Sequence, residues 1–255
     1  MVGALPVLEH NLMVYRRSWR GSAFVSFLSP VLFLTAIGIG LGTLVNRSQG
    51  GVGGVPYVEF LAPGLLAANA VQTAAAAGTY PVMAKVTWYR TYEAMLTTPV
   101  AVTDIVLGEL AWFCFRLLLA SGSFFLVMTA FGVVRSPWGL LAVPAAVLTG
   151  LAFGMPVVAF AVTQRNDSPF SLIFRAVVLP LFLFSGTFFP LDRLPAPLQA
   201  AAWLTPLYHG VSLTRGLTLG GLSPGAALLH VGVLLLFLAV GLVASRVALA
   251  WRLVK

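Results

Sequence analysis

The sequence predicts an all-α polytopic membrane protein with six transmembrane helices, an N-terminal amphipathic interface helix and a re-entrant segment before the last span. Two observations carry this. The 255 residues are 59% hydrophobic and only 9% charged, against roughly 25% charged in soluble domains, and the mean hydropathy is +0.96. The apolar residues also form continuous runs of the roughly 20 residues a helix needs to cross a bilayer. A membrane β-barrel would show alternating segments of about ten residues instead.

At the N-terminus, Leu5, Leu8, Leu12, Tyr15 and Trp19 recur at spacings of three and four, which gathers them on one helical face. Glu9, Asn11, Arg16, Arg17 and Arg20 fall mostly elsewhere on the wheel. Residues 1–20 therefore read as a helix in the membrane interface, with arginines at the headgroups. Arg16 and Arg17 ahead of an apolar run have the flavour of a twin-arginine signal. The uncharged run 23–44, however, exceeds the roughly 7–15 residues of a signal's apolar core and lacks a small-x-small cleavage site. It is read as the first span.

Further spans are expected at 60–83, 105–133, 138–162, 168–186 and 226–245, in one domain covering 1–255. The stretch 45–57, with NRSQGGVGGVP inside it, is a Gly-rich turn without helical periodicity. Residues 187–225 hold Pro190, Pro195, Pro197, Pro206 and Pro224 among apolar residues. This is too broken for a regular span and reads as short helices folded back at the outer surface, where other protein satisfies the backbone. Lys and Arg in the loops divide nine against four in favour of cytoplasmic termini, which places the segment 84–100 inside. The net charge of +8 and pI near 10.4 sit beside apolar spans, so anionic lipid headgroups are the expected partner rather than nucleic acid. Cys114 is the only cysteine, so no intrachain disulfide forms.

Motifs for chemistry on this chain are missing. There is no G-x-x-x-x-G-K-[ST], G-x-S-x-G, H-E-x-x-H or C-x-x-C. GIGLGT at 38–43 lacks a lysine and lies within a span, where glycines allow close helix packing. His10, His209 and His230 fall in three separate segments, and a metal site is not expected from them. His230 is expected to pair with a polar group inside the bundle. Charges inside spans are costly and therefore candidates for function. Glu109 and Arg116 share a face of the third span, either as boundary residues or as part of a pathway or interface. Glu59 opens the second span as a solvated cap or a substrate contact, and Arg175 enters the fifth as a headgroup anchor.

The segment TWYRTYEAMLTTPV, residues 87–100, gathers charge and aromatics in a chain poor in charge. Trp88, Tyr92 and Met95 or Leu96 sit three and four apart, giving a short amphipathic helix with Tyr89, Arg90 and Glu93 on other faces. Pro99 stops it. Either it anchors the loop in headgroups, or it is a knob inserted into a groove on a cytoplasmic protein.

Three segments together resemble the membrane subunit of ABC exporters of the type-2 permease class: YVEFLAPGLLAANA at 57–70, YEAMLTTPV at 92–100, and FSGTFFPLDRLPAPLQAAAWLTPLYHGVSLTRGL at 184–217. Among subgroups the chain looks most similar to permeases for lipo-oligosaccharides such as nodulation factors and to daunorubicin-resistance permeases. The resemblance implies a homo- or heterodimer of permeases served by two separate ATPase subunits. ATP and Mg would bind to those subunits, and no cofactor or metal to this chain. It implies that residues 84–100 form the coupling segment, with Trp88, Tyr89, Arg90, Tyr92, Glu93, Met95 and Leu96 meeting the ATPase. It also implies an outer gate in which Phe188, Phe189 and Leu191 are apolar constrictions. The expected function is export of an amphipathic or lipid-linked substrate through the cell membrane. The alternatives are a secondary transporter or a membrane-embedded lipid-modifying enzyme.

Overall fold

The structure, a computed structural model, describes residues 3–254. Positions 1 and 2, which begin the expected interface helix, and Lys255 of the charge count lie outside the described residues. Among these, five helices are long and apolar enough to cross a membrane: α1 (Ala4–Ser48), α2 (Tyr57–Trp88), α4 (Val102–Ala130), α5 (Pro137–Thr163) and α9 (Pro224–Leu253). Between them lie α3 (Thr91–Leu96), α6 (Ser168–Phe184), α7 (Ala196–Trp203) and α8 (Pro206–Leu219).

Two expectations change here. No break separates an interface helix from the first span, because α1 is helical without interruption through residue 20. Its early residues keep packing on α4, where Val7 lies so close to Gly108 that a Cβ there would overlap it. The expected apolar face is also rotated: Val7 and Asn11 are the buried positions, while Leu5 and Trp19 are exposed. The stretch 168–186, expected as a span, holds α6, a shorter apolar helix than the five above, at the low end of the roughly 17–25 residues that cross a bilayer. It contains a widened turn at Phe174–Val178.

The helix α1 contains its own widened π segment at Leu34–Leu41 and ends in the turns Gly42–Gln49. The Gly-rich turn is thus shorter than expected, with Gly50, Gly51, Gly53 and Gly54 all at positive φ. Of the glycines at 38–42, Gly38 packs tightly on Val58, whereas a Cβ at Gly40 would meet only the Thr35 carbonyl, at 4.0 Å.

The centre of the bundle is the pair α2 and α5. Their apolar windows are 78% buried, against 18% for α1 and 17% for α9. Helices in lipid gain little from apolar burial and associate through close backbone approach, and small residues supply it here. A Cβ at Gly154 of α5 would sit 3.0 Å from the Ala74 Cβ of α2, and one at Gly78 would sit 3.2 Å from Val157. The helix α9 closes on α5 where Gly241 meets Pro156, and the Ser245 hydroxyl donates to the Met155 carbonyl at 2.9 Å. The helix α8 wedges against both central helices. Its Gly210 abuts Thr149, and its Thr214 hydroxyl donates to the Pro63 carbonyl at 2.9 Å. The two ends of the bundle are therefore distinct. One carries α3 and the start of α1, and the other carries the Gly-rich turn, α7 and α8.

Candidate functional site

At the α3 end the chain makes two abrupt turns. The helix α2 narrows at Thr79 (φ −95°, ψ −99°) and widens into a π turn at Ala84–Trp88. Arg90 then adopts φ +50°, ψ +30°. This left-handed conformation costs a non-glycine residue roughly 1–2 kcal/mol, and it starts α3 as a new helix in a new direction. The expected single helix over 88–96 is thereby corrected. Trp88 ends α2 and is 58% exposed, and Tyr89 is 74% exposed. Within α3, Tyr92 turns fully inward, Met95 and Leu96 are half-buried, and Glu93 faces out beside exposed Arg90. The hydroxyls of Thr97 and Thr98 cap the last turn on the Ala94 and Met95 carbonyls, just ahead of Pro99.

Tyr92 is seated on a buried polar cluster drawn from three helices, α1, α2 and α4. Glu109 of α4 accepts on Oε1 from Lys85 Nζ at 2.5 Å and from Asn11 Nδ2 of α1 at 3.1 Å. Lys85 also donates to Asn11 Oδ1 at 2.7 Å, and its Nζ lies 5.8 Å from the Tyr92 ring centre. The Glu109 side chain is 2% exposed. Its Oε2 and the Tyr92 hydroxyl are both buried and approach without a well-formed hydrogen bond. Burial, and next the Glu109 charge, hold the Tyr92 phenol well above its ordinary pKa of 10.0. Glu109 is thus a buried ion-pair acceptor rather than a boundary residue. Asn11, placed on the polar face by the helical wheel, is the joint between α1 and α4.

Arg116, two turns along α4 from Glu109, does not join this cluster. Its guanidinium lies 5.8 Å from the ring centres of both Tyr15 and Trp112. Two cavities meet at Tyr15 and Arg116. One of about 270 Å³ opens toward Lys85 and Tyr89, and one of about 430 Å³ extends between α1, α2 and α4.

At the opposite end, Glu59 in the first turn of α2 pairs with Arg135 at 2.5 Å. Phe188, Phe189 and Leu191 are half-buried. The Phe188 ring packs edge-on against Phe182 at 5.0 Å, and its carbonyl accepts from the Tyr57 hydroxyl at 3.2 Å. With the glycines of the 50–54 turn, Phe188 and Phe189 border an open cavity of about 1040 Å³. Arg215 of α8 forms a feature that sequence reasoning did not single out. Its Nε donates to the Phe60 carbonyl at 3.1 Å, its Nη2 to the Gly186 carbonyl at 2.8 Å, and its guanidinium covers the Phe60 ring at 3.8 Å. The fork ties the start of α2 to the turn after α6, with no acidic partner among the described residues.

Two of the three histidines also come together. His209 and His230 approach Nδ1 to Nδ1 at 2.9 Å, and His209 Nε2 lies 2.9 Å from the Trp203 carbonyl. Since a carbonyl only accepts, His209 carries its proton on Nε2, and its Nδ1 accepts from His230 Nδ1–H. This fulfils the expectation of a polar partner for His230. Among the described residues, no group of three His, Cys, Asp or Glu is placed to hold a metal ion.

Comparison with known proteins identifies relatives of the chain. The family model described as "ABC-2 type transporter" matches residues 7–219. Nodulation protein J of Rhizobium leguminosarum bv. trifolii is 36% identical over 265 residues, covering 100% of this chain and 98% of its own. Nodulation protein J of Rhizobium meliloti (strain 1021) is 36% identical over 242 residues, covering 91% and 88%. The inner membrane transport permease YadH of Escherichia coli (strain K12) is 26% identical over 192 residues, covering 73% of each chain. A bundle of apolar helices joined through small residues, matched over most of its length by one family model and end to end by a Nodulation protein J, leaves one assignment: the chain belongs to the ABC-2 type transporter family.

Proposed function

We propose that the chain is the membrane-spanning permease of an ATP-driven exporter for an amphipathic or lipid-linked substrate, with lipo-oligosaccharides as the substrate class. The observation that carries this is the two-sided construction of α3. Outward, the turn leading into it exposes Trp88, Tyr89 and Arg90, and the helix itself exposes Glu93, all available to a partner. Its inner side seats Tyr92 on the Asn11–Lys85–Glu109 cluster, so a push on α3 is received at once by α1, α2 and α4. The partner is a separate ATPase subunit, present in two copies beneath a dimer of permeases, with its ATP and Mg bound there. The relatives named Nodulation protein J and the inner membrane permease YadH support the substrate class and an inner-membrane location.

In this arrangement the α3 end and both termini face the cytoplasm, α6 completes a sixth crossing, and residues 187–225 re-enter from the outer side. Closure of the two ATPases draws the α3 helices together. The buried ion pair passes the movement along α1, α2 and α4 to the outer end. There Phe188, Phe189 and Leu191 form the apolar gate beside the 50–54 turn.

Co-purification tests the reading. Wild-type chain retains its nucleotide-binding protein, and Trp88→Ala combined with Glu93→Lys releases it while membrane insertion persists. Retention of the ATPase by that variant with undiminished transport would remove α3 from its role. Transport by the chain alone on a proton gradient would overturn the exporter reading altogether.

A further inference from the structure

Three helices turn polar stripes toward one another in the middle of the bundle. On α1, Ser22, Ser26 and Ser29 are spaced to share one face and are half-buried. On α2, Asn69, Gln72 and Thr73 do the same, and Arg116 of α4 stands at their side. Arg116 is the midpoint of α4, and Gln72 lies at the midpoint of α2, so the cavity they line sits halfway along the spans. Its volume of about 430 Å³ lies within the ~300–1,000 Å³ of small-molecule sites.

The bonding of these side chains separates them from ordinary polar residues in a span. Many hydroxyls elsewhere in this bundle return to the carbonyl one turn back, as Ser123 does to Leu119 at 2.8 Å and Thr149 to Ala145 at 2.7 Å, while an unpartnered one such as Ser121 is buried singly rather than gathered on a cavity. None of the seven stripe residues makes a hydrogen bond or ion pair among the described residues. Polar groups and a cation at mid-span are costly and mark sites that handle a ligand. The smaller cavity continues this one from Tyr15 and Arg116 to Lys85 and Tyr89 at the α3 end. Alongside, α1 exposes Phe24, Phe27, Leu28 and Leu32.

We infer that this groove binds the hydroxyl- and amide-rich headgroup of an acylated glycan, admitted from the α3 end, with the acyl chain lying along the exposed apolar face of α1. Serine, threonine, asparagine and glutamine side chains both donate and accept, which matches sugar hydroxyls and acetamido groups. Arg116 provides for a single negative substituent, such as a sulfate or phosphate ester. The transport role of the site rests on the exporter reading, but occupation of the groove does not require the ATPase.

The test is photo-crosslinking of the full-length chain in lipid nanodiscs, without ATPase, to a diazirine-bearing dodecyl trisaccharide, neutral or carrying one sulfate. Labelling is expected within 21–29, 69–76 and 116–120. Gln72→Leu and Asn69→Leu should each weaken binding about tenfold, as losing two well-formed hydrogen bonds does. Arg116→Met should erase the preference for the sulfated probe, and Arg116→Lys should retain it. Labelling outside these segments, insensitivity to the variants, or equal competition by phosphatidylcholine would overturn the inference. Disulfide crosslinking of Ser26→Cys between two copies, with the probe excluded, would overturn it too by assigning the groove to the permease dimer. Failure of probe binding in a chain that still holds its ATPase sinks this site alone. Probe binding in a chain that never associates with an ATPase sinks the exporter reading and leaves the site standing.

Discussion

Neutralising one member of the Lys85–Glu109 pair should damage the protein far more than neutralising both. The Glu109 carboxylate is 2% exposed and the Lys85 side chain 15%, so water does not relieve the carboxylate and only partly relieves the ammonium. Lys85→Met leaves Glu109 with one neutral donor, Asn11. Stranding a buried charge in this way costs about 3–5 kcal/mol. Glu109→Gln keeps an acceptor for Lys85, whose tip has some access to solvent, and should cost less, about 1.5–3 kcal/mol. The double variant Lys85→Met with Glu109→Gln removes both charges and should return close to wild-type stability, since replacing a buried pair with neutral groups is often neutral. The coupling energy expected from the cycle is therefore about 3 kcal/mol or more. Unfolding of the purified chain in mixed micelles by rising SDS fraction, followed by tryptophan fluorescence, measures it. Single-variant losses that add to the double-variant loss within ~0.5 kcal/mol would refute the pair as a coupled unit. A double variant that is stable, binds the ATPase and hydrolyses ATP but fails to transport would place the pair in transmission as well as in stability.

Tyr92→Ala empties a fully buried ring site and should cost about 3–5 kcal/mol, whereas Tyr92→Phe removes a hydroxyl lacking a good partner and should change stability by less than ~1 kcal/mol; the same SDS titration reads both. Because the folded Tyr92 phenol titrates above its ordinary value of 10.0, it stabilises the fold fully below about pH 10, and that contribution fades as pH rises further. Wild type should lose more stability than Tyr92→Phe over that alkaline range, and parallel curves would contradict the burial argument. Arg215→Lys keeps the charge but not the two-pronged geometry reaching Phe60 and Gly186, and should lower stability by about 1.5–3 kcal/mol for each bond not remade. Gly241→Ala drives a methyl group into Pro156. Forcing α9 away from α5 should cost about 1–3 kcal/mol and lower the thermal midpoint.

The spans were legible because apolar runs must be continuous to cross lipid, and α2, α4, α5 and α9 fall where the runs lie. Their ends shifted by a few residues, since polar residues at a boundary stay helical when backbone bonds continue. What was hidden depends on partners distant in the chain. Asn11 and Glu109 are 98 residues apart, and a helical wheel assigns an asparagine to water because it cannot see the carboxylate opposite. The Arg215 fork was illegible for a second reason: it binds backbone carbonyls, and every residue has one. Trp88 was grouped with Tyr92 by spacing alone, and the left-handed turn at Arg90, with no glycine to announce it, separated them. The serines of α1 were visible at helical spacing, but only their lack of internal bonds gives them meaning.

The unbroken length of α1 has a mechanical consequence. At 1.5 Å per residue, 45 residues span roughly 70 Å, longer than the ~40–45 Å of a bilayer with its headgroups. One end is fastened at Asn11 to Lys85 and Glu109, and the other at Asn46, whose side chain accepts from the Tyr57 amide at 3.0 Å. A member fixed at both ends of the bundle works as a lever. Its compliance is concentrated where the backbone bonds are widened, at Leu34–Leu41 just beyond Pro30. Stiffening that stretch would carry a displacement from one end to the other undiminished, and softening it would let the two ends move out of step.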